Sequence, residues 1–132
     1  MTTHDYLLDT HAFLWAVTND SQLSGPARAI FLDEKNSLHL SVASIWEMAI
    51  KSSIGRLSLQ TDLRTFLDEQ LPLNGIRVLS ITRSHAQEVE QLPFHHRDPF
   101  DRLLVAQSVH EEMQLVSVDT VLDAYDNVKR VW

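Results

Sequence analysis

The alternation of strands and helices is first visible in residues 5–14, Asp-Tyr-Leu-Leu-Asp-Thr-His-Ala-Phe-Leu. The first half of this segment is a short apolar run that stops at Asp9, which is the pattern of a buried strand. The second half has apolar residues at helical spacing, and Thr10 is placed to cap that helix. The apolar face of the helix consists of Phe13, Leu14 and Val17. The segment therefore predicts a strand followed at once by a helix, with the Asp9 carboxylate at the turn.

The same alternation continues along the rest of the chain. Further strands are predicted over residues 38–42, 76–81, 115–118 and 128–132. Further helices are predicted over residues 24–36, 41–55, 61–71, 82–92, 99–113 and 121–125. We expect Thr61 to cap the helix that Pro72 ends, and Thr82 or Ser84 to cap the next helix.

Strands that alternate with helices are typical of α/β proteins, because parallel neighbours need a crossover connection between them. We therefore predict a three-layer α/β/α fold with four to five strands in a central, mainly parallel sheet. The chain has 132 residues, of which 44% are hydrophobic, and no stretch has the composition of a linker. These properties predict a single domain over residues 1–132.

The composition excludes several classes of function. The chain contains no cysteine, which excludes disulfide scaffolds, thiolate zinc sites and cysteine nucleophiles. Its apolar runs are too short to cross a membrane, and its N-terminus does not combine a basic region with an apolar core, so we expect a cytoplasmic protein. The net charge of −7 disfavours nonspecific binding to duplex DNA.

Five acidic residues are predicted at one edge of the sheet. Asp9 and Asp119 end the first and fourth predicted strands, and Glu47 lies near the start of the helix after the second strand. Asp98 and Asp101 lie where a long apolar helix begins. In an open parallel sheet, ligands bind beyond the carboxyl ends of the strands, so these positions favour a common site. Carboxylates gathered there are the ligands that Mg²⁺ and Mn²⁺ prefer.

Each of these acids also has a structural explanation when it is taken alone. Asp9 and Asp98 precede helices, where a carboxylate caps the N-terminus, and Asp119 fits a turn. Glu47 stands four residues before Lys51, which is the favourable order for a surface ion pair. Together, the acids are also compatible with a merely solvated acidic surface. Their coincidence at one edge of the sheet favours a shared function.

Histidine and tryptophan residues offer weaker signals. His95 and His96 suggest a transition-metal site, but adjacent side chains point apart and no further histidine stands at a ligand spacing, so zinc is a minor alternative. Trp15 and Trp46 have flat rings that can stack on bases, yet their helical spacing predicts packing in the core. In the third helix, the predicted apolar rows consist of Ile45, Trp46, Ala49, Ile50 and Ser53.

Four segments together resemble the PIN-domain ribonucleases, with the VapC-like toxin branch as the nearest likeness. These segments are residues 7–11, 44–51, 96–107 and 115–119. The resemblance covers essentially the whole chain in length, order and spacing. The resemblance implies an acidic tetrad that consists of Asp9, Glu47, Asp101 and Asp119. It also implies supporting roles for Thr10, Asp98 and Ser117. The implied fold is the three-layer PIN-like fold.

The resemblance implies an activity as well. PIN-domain ribonucleases hydrolyse RNA phosphodiester bonds with one or two Mg²⁺ or Mn²⁺ ions, and such a reaction needs no side-chain nucleophile. The cations that flank the acids in this sequence are Lys51, Arg97 and Arg102. These three residues are candidate contacts to RNA phosphates, although Lys51 equally fits an ion pair with Glu47.

The resemblance further implies a homodimer and a VapB-like antitoxin that masks the acids. This chain carries no DNA-binding motif, so we expect no direct DNA binding by it. The alternative function is a PIN-like scaffold that binds a partner without significant nuclease activity. A phosphoacceptor receiver domain does not fit, because no acid ends the third strand. A haloacid-dehalogenase-type phosphatase does not fit either, since His11 stands where it needs a second aspartate.

Overall fold

A sheet of five parallel strands forms the centre of the protein in the computed structural model, which describes residues 4–132. Residues 1–3, to which the sequence prediction about the N-terminus applies, lie outside the described residues. The strands are β1 (Asp5–Leu8), β2 (Ser37–Ser41), β3 (Ile76–Leu79), β4 (Gln114–Val116) and β5 (Arg130–Val131). Their order across the sheet is β3-β2-β1-β4-β5, and all four pairs of neighbours are parallel.

Within residues 4–132, six α-helices connect and cover these strands. They are α1 (Thr10–Val17), α2 (Gly25–Leu32), α3 (Val42–Ser53), α4 (Leu63–Leu73), α5 (Arg83–Glu88) and α6 (Pro99–His110). Short 3-10 helices over Val89–Gln91 and Thr120–Ala124 follow α5 and β4. In this part of the chain, no helix combines the length and the apolar character that a membrane crossing requires.

The sheet separates two apolar layers, because successive side chains of a strand point to opposite faces. Leu8 of β1 packs in one layer with Phe13 of α1 and Leu67 of α4. Leu7 packs in the other layer with residues of α6, among them Leu104. This arrangement confirms the predicted three-layer α/β/α fold with a parallel sheet.

The strand order reverses at β1. From β1 the chain continues to β2 and β3 on one side, while β4 and β5 lie on the other side. Leu8, the last residue of β1, pairs with Leu40 of β2 and with Val116 of β4, so the three strands end at nearly the same level. The point where the strand order of an open parallel sheet reverses is where a ligand crevice forms. The residues that follow these three strands are therefore placed to share one site.

The structure turns α3 so that a different face from the predicted one is buried. Its buried side chains are Ala43, Ser44, Glu47 and Met48. Trp46 is 58% exposed, so the prediction that it packs in the core is wrong. The reason is that Met48 packs in the core while Glu47 hydrogen-bonds Thr10 inside the protein, which leaves Trp46 outside. Trp15 does pack at the edge of the core, as predicted.

Helix α4 begins and ends later than the sequence predicts. Asp62 rather than Thr61 caps it, since Oδ1 of Asp62 accepts a backbone N–H of the first turn at 3.0 Å. Pro72 was expected to end the helix but lies inside its last turn. The backbone N–H and the side-chain amide of Asn74 both donate to the carbonyl of Gln70, which closes that turn.

Other elements are shorter than predicted. β3 ends at Leu79, which pairs with Ser41, the last residue of β2. β4 ends at Val116, opposite the end of β1. α6 ends at His110, because Glu112 takes a positive φ of 56° and leaves the helical conformation. These differences do not change the order of the elements.

Candidate active site

Asp9 lies at the turn between β1 and α1 and is only 8% exposed. It caps α1, since its Oδ1 accepts the backbone N–H of Ala12 at 2.8 Å. The hydroxyl of Ser117 also hydrogen-bonds this carboxylate. Burial nevertheless raises the pKa of Asp9 above its ordinary value, and the charge of Glu47 acts in the same direction. Because the cap uses one carboxylate oxygen, capping does not exclude Asp9 from a site.

Glu47 is likewise buried, on the inner face of α3. Its Oε1 accepts a hydrogen bond from Oγ1 of Thr10 at 2.6 Å. Its Oε2 forms an ion pair with Nζ of Lys51 at 2.8 Å. The pair with Lys51 is the one that the sequence offers as a structural alternative, but it lies at the margin of a buried carboxylate rather than on a free surface. Thr10 and Lys51 together orient both oxygens of Glu47.

Two acids begin α6. Asp98 is its N-cap, and Oδ1 of Asp98 accepts the backbone N–H groups of Phe100 at 2.8 Å and of Asp101 at 3.3 Å. Burial raises the pKa of Asp101 to about 7. The nearby charges of Asp98, Asp9 and Glu47 act in the same direction. A carboxyl group that is only partly ionised at neutral pH indicates that acids are gathered with too little positive charge around them.

Asp119 lies just beyond the end of β4. Its Oδ1 accepts the backbone N–H of Val121 at 3.0 Å and so caps the 3-10 helix that follows. Oγ of the buried Ser117 accepts the backbone N–H of Asp119 at 3.1 Å, while the Ser117 hydroxyl donates to the carboxylate of Asp9. Ser117 thus links the carboxyl ends of β1 and β4.

His96 joins two of these acids, although the sequence indicates it only as a weak zinc signal. Its Nε2 lies 2.7 Å from Oδ2 of Asp119 and 3.2 Å from Oδ2 of Asp101. Its Nδ1 accepts the backbone N–H of Asp98 at 3.0 Å. His95 points away and stacks edge-on against a tyrosine ring. The two histidines point apart as expected, but one of them enters the acidic site. The sequence feature that could have identified His96 as part of the site is its position two residues before Asp98, the N-cap of α6.

The structure brings the predicted residues to one edge of the sheet. These residues are Asp9, Thr10, Glu47, Asp98, Asp101, Ser117 and Asp119. Side-chain atoms of Asp101, Asp119 and His96 that can bind a metal all lie within 4.8 Å of one another. The donor set fits a divalent cation, because carboxylate oxygens predominate and the raised pKa values of Asp9 and Asp101 reflect burial and repulsion that a cation relieves.

The three cations that the sequence predicts as phosphate contacts differ from one another in exposure and in partners. Arg97 is exposed in the loop before α6. Lys51 forms the ion pair with Glu47. Arg102 is 7% exposed, donates to two backbone carbonyls, and has its guanidinium 4.6 Å from the centre of the Phe94 ring. Arg102 therefore anchors the segment before α6. Because its guanidinium is buried, it is not accessible to an RNA phosphate.

A second histidine cluster lies at the C-terminal end of α6. His85 is fully buried, and its Nε2 lies 3.0 Å from Oε1 of Glu111. Its Nδ1 accepts the backbone N–H of Thr82 at 3.1 Å, so the ring carries its proton on Nε2. The ring of His110 lies edge-on to it, 5.1 Å away between centroids. A histidine that binds a metal through Nε2 carries its proton on Nδ1, but Nδ1 of His85 is already an acceptor. The hydrogen bonds therefore identify this cluster as a structural contact between α5 and α6.

Several solved structures have a fold similar to that of this chain. A chain of VapBC2 from Rickettsia felis, bound to a DNA fragment from their promoter, matches with a TM-score of 0.71 and 13% identity over 96% of this chain and 97% of that chain. A chain of DNA-bound VapBC from Salmonella typhimurium matches with a TM-score of 0.70 and 14% identity over 99% and 98%. A chain of FitAcB from Neisseria gonorrhoeae matches with a TM-score of 0.66 and 17% identity over 96% of both chains. At these identities, the likeness establishes the fold.

Sequence comparison identifies the family. No curated protein matches the sequence significantly. The family model for the PIN domain matches residues 6–128, a span that includes every acid of the candidate site. This match confirms the resemblance that four separate segments of the sequence indicate. The chain belongs to the PIN domain family.

Proposed function

We propose that this protein is a metal-dependent ribonuclease that hydrolyses RNA phosphodiester bonds and acts as the toxin of a toxin-antitoxin pair. The observation that carries the proposal is the convergence of four carboxylates at the edge where the strand order reverses. They are Asp9, Glu47, Asp101 and Asp119. Membership of the PIN domain family supports a nuclease, and the fold likeness to chains of VapBC complexes supports a toxin. The family match also supports our interpretation of residues 1–132 as one domain.

We infer that Asp9 and Asp119 hold a Mg²⁺ or Mn²⁺ ion, while Glu47 and Asp101 complete the ligand set or orient the attacking water. When bound, such an ion lowers the pKa of water and neutralises phosphate charge. The raised pKa values of Asp9 and Asp101 support this inference, because buried and mutually repelling carboxylates bind a cation favourably.

The remaining contacts hold the carboxylates in position. Thr10 and Lys51 orient Glu47, and Ser117 ties the carboxylate of Asp9 to the backbone at the end of β4. Groups that are oriented before the substrate binds lose little freedom when it does, which favours the reaction. Arg97, exposed beside the acids, is the proposed contact to an RNA phosphate.

We further propose an antitoxin partner of the VapB-like type that masks the acids. The similar solved structures are described as VapBC and FitAcB, and one as a toxin-antitoxin complex from Klebsiella pneumoniae. The acidic site and the net charge of −7 favour a basic segment on such a partner. Binding to DNA would then come from the partner rather than from this chain. A toxin that acts on cellular RNA is expected in the cytoplasm.

An exposed apolar stripe along α3 supports the proposed homodimer. Val42, Trp46, Ile50 and Ile54 follow one another at intervals of four residues and are between 37% and 59% exposed. Exposed apolar side chains that recur at helical spacing are typical of interaction sites. We expect sedimentation equilibrium to show a dimer for the wild type and a monomer for Trp46→Glu. A monomeric wild type would contradict the homodimer.

Cleavage of total RNA by the purified protein tests the proposed activity. We expect cleavage with Mg²⁺ or Mn²⁺, none with EDTA, and none with Asp101→Asn. Glu111→Gln is the matched control, because it removes a carboxylate charge at the other end of α6. Folded wild-type protein that cleaves no RNA with either metal would favour the partner-binding scaffold. Full activity of Asp101→Asn would remove Asp101 from the site.

A further inference from the structure

His96 occupies the space between two acids of the proposed metal site. Its Nε2 lies 2.7 Å from Oδ2 of Asp119 and 3.2 Å from Oδ2 of Asp101. A single nitrogen atom thus contacts both carboxylates. A cation held by Asp119, with Asp101 completing its ligand set, would compete with Nε2 for these two carboxylates.

The hydrogen bonds of His96 determine which ring nitrogen carries the proton. The backbone N–H of Asp98 points at Nδ1 from 3.0 Å, so Nδ1 is an acceptor and carries no proton. In the neutral ring the proton is therefore on Nε2, which donates to the Asp119 carboxylate and lies in electrostatic contact with Asp101. The backbone N–H of His96 donates to the hydroxyl of Tyr125 at 3.1 Å and anchors the residue. His96 thus faces the acids as a hydrogen-bond donor and not as a metal ligand.

We propose that His96 is a positioning residue that competes with the divalent cation. When no metal is bound, the Nε2–H group of His96 holds Asp101 and Asp119 together. When the metal binds, the His96 ring moves away from both carboxylates. This inference rests on the proposed function, because it concerns the metal site of that nuclease. An N–H group and a cation repel each other, so they do not occupy the space between the same two oxygens at once.

The competition has a consequence for metal affinity. Metal binding must break the hydrogen bond from His96 to the Asp119 carboxylate. Hydrogen bonds to charged groups are the stronger class in proteins. Without His96, the two carboxylates repel each other in the metal-free protein, and a cation relieves that repulsion. Both effects act in the same direction. The wild type therefore binds the cation more weakly than the same acids would without His96.

Calorimetric titration with Mg²⁺ and with Mn²⁺, in the absence of RNA, tests this consequence. We expect His96→Ala to bind either cation about tenfold more tightly than the wild type, given the strength of hydrogen bonds to charged groups. His96→Gln retains an N–H donor and should restore an affinity close to that of the wild type. His95→Ala is the matched control, because it removes the neighbouring imidazole, which packs edge-on against the ring of Tyr125. Its affinity should be unchanged.

Two results would overturn this inference without affecting the proposed nuclease function. Weaker binding by His96→Ala would make the imidazole a ligand, and equal binding would mean that it does not compete. In either case a wild type that binds metal and cleaves RNA would leave the proposed nuclease in place. If neither cation bound the folded wild type, the proposed function would fail together with the inference.

Nuclear magnetic resonance of the wild type tests the displacement without any variant. The imidazole ¹⁵N resonances distinguish a protonated from an unprotonated nitrogen. We expect the Nε2–H form of His96 in EDTA, and when Mg²⁺ is added we expect Nε2 to stay protonated while its resonance and that of its proton shift, because the N–H loses its charged acceptor. The resonances of His95 should stay in place and serve as an internal reference. A His96 resonance that does not move at saturating Mg²⁺ would overturn the displacement.

Discussion

The two ends of α6 carry the same histidine contact in different surroundings. At each end, Nδ1 of a histidine accepts a backbone N–H and Nε2 faces a carboxylate. At the C-terminal end, His85 is fully buried and faces Glu111 alone, an arrangement that we call the His85 contact. At the N-terminal end, His96 faces both Asp101 and Asp119, and we call this the His96 contact.

The two contacts differ in the number of carboxylates that face one N–H donor. In the His85 contact, one donor meets one carboxylate, so the contact is complete and stabilises the packing of α5 on α6. In the His96 contact, acids outnumber donors, and the pKa of Asp101 rises to about 7. The same hydrogen bond is therefore structural where one donor meets one carboxylate, whereas a surplus of buried carboxylates over donors favours a bound cation.

The largest expected effect is on catalysis and is confined to the His96 contact and the acids around it. Asp9→Asn and Asp119→Asn should each lower RNA cleavage at least about 100-fold, because even partners of metal ligands typically contribute 10–100-fold. Each change removes charge without changing volume, so circular dichroism should show an intact fold. Glu111→Gln makes the same kind of change in the His85 contact and should leave the cleavage rate unaltered. Full activity of either aspartate variant would contradict the site.

The next effect is on stability and should be larger at the His85 contact. His85→Ala should lower the free energy of unfolding by about 3 kcal/mol, because it opens a cavity and removes a helix-capping hydrogen bond. His96→Ala should lower the same quantity by less, about 1.4 kcal/mol, which is the free energy that corresponds to the tenfold change in metal affinity, because His96 lies in a partly exposed loop. Urea denaturation in EDTA measures both changes. Equal losses for the two variants would show that the contacts do not differ in structural weight.

A third effect is the pH dependence of stability. Folding raises the pKa of Asp101 from 3.8 to about 7, so between these values the folded protein binds more protons than the unfolded chain. The free energy of unfolding therefore falls as the pH rises through this window. Above pH 7 the buried Asp101 carboxylate is charged, and its full destabilising effect on the folded protein is present. Asp101→Asn should remove about 2 kcal/mol of this penalty, a figure reduced for partial exposure to water.

Urea denaturation at pH 5 and pH 8, in EDTA, measures this dependence. The gain in stability of Asp101→Asn over the wild type should be greater at pH 8 than at pH 5. Glu111→Gln, at the His85 contact, should show no such gain at either pH. A gain of the same size at both pH values would mean that the Asp101 carboxyl is not destabilised by its surroundings.

The smallest expected effect concerns RNA binding beside the His96 contact. Arg97→Ala should weaken the binding of RNA to the inactive Asp119→Asn protein about threefold, because one exposed cation contributes little by itself. The salt dependence of binding should decrease as well. Fluorescence anisotropy at two salt concentrations measures both quantities. Arg83→Ala, beside the His85 contact, is the matched control, and an equal loss there would contradict a local role of Arg97.

Most of the fold could be predicted because its signals are local. The end of an apolar run at Asp9, a cap at Thr82 and a proline at the start of α6 each act within a few residues. The buried face of α3 could not be predicted in this way. Periodicity places the apolar Trp46 inside and the charged Glu47 outside. The structure reverses this, because Glu47 has a partner in Thr10, 37 residues away in the chain.

The acids themselves were visible in the sequence, since parallel strands end at a common edge and their last residues are therefore neighbours. Their supporting contacts were not. That His96 enters the site, that Arg102 is buried, and that the pKa of Asp101 reaches about 7 became clear only in the folded chain. The physical reason is distance. Burial and the coupling of charges depend on separations in space between residues such as His96 and Asp119, which stand 23 positions apart.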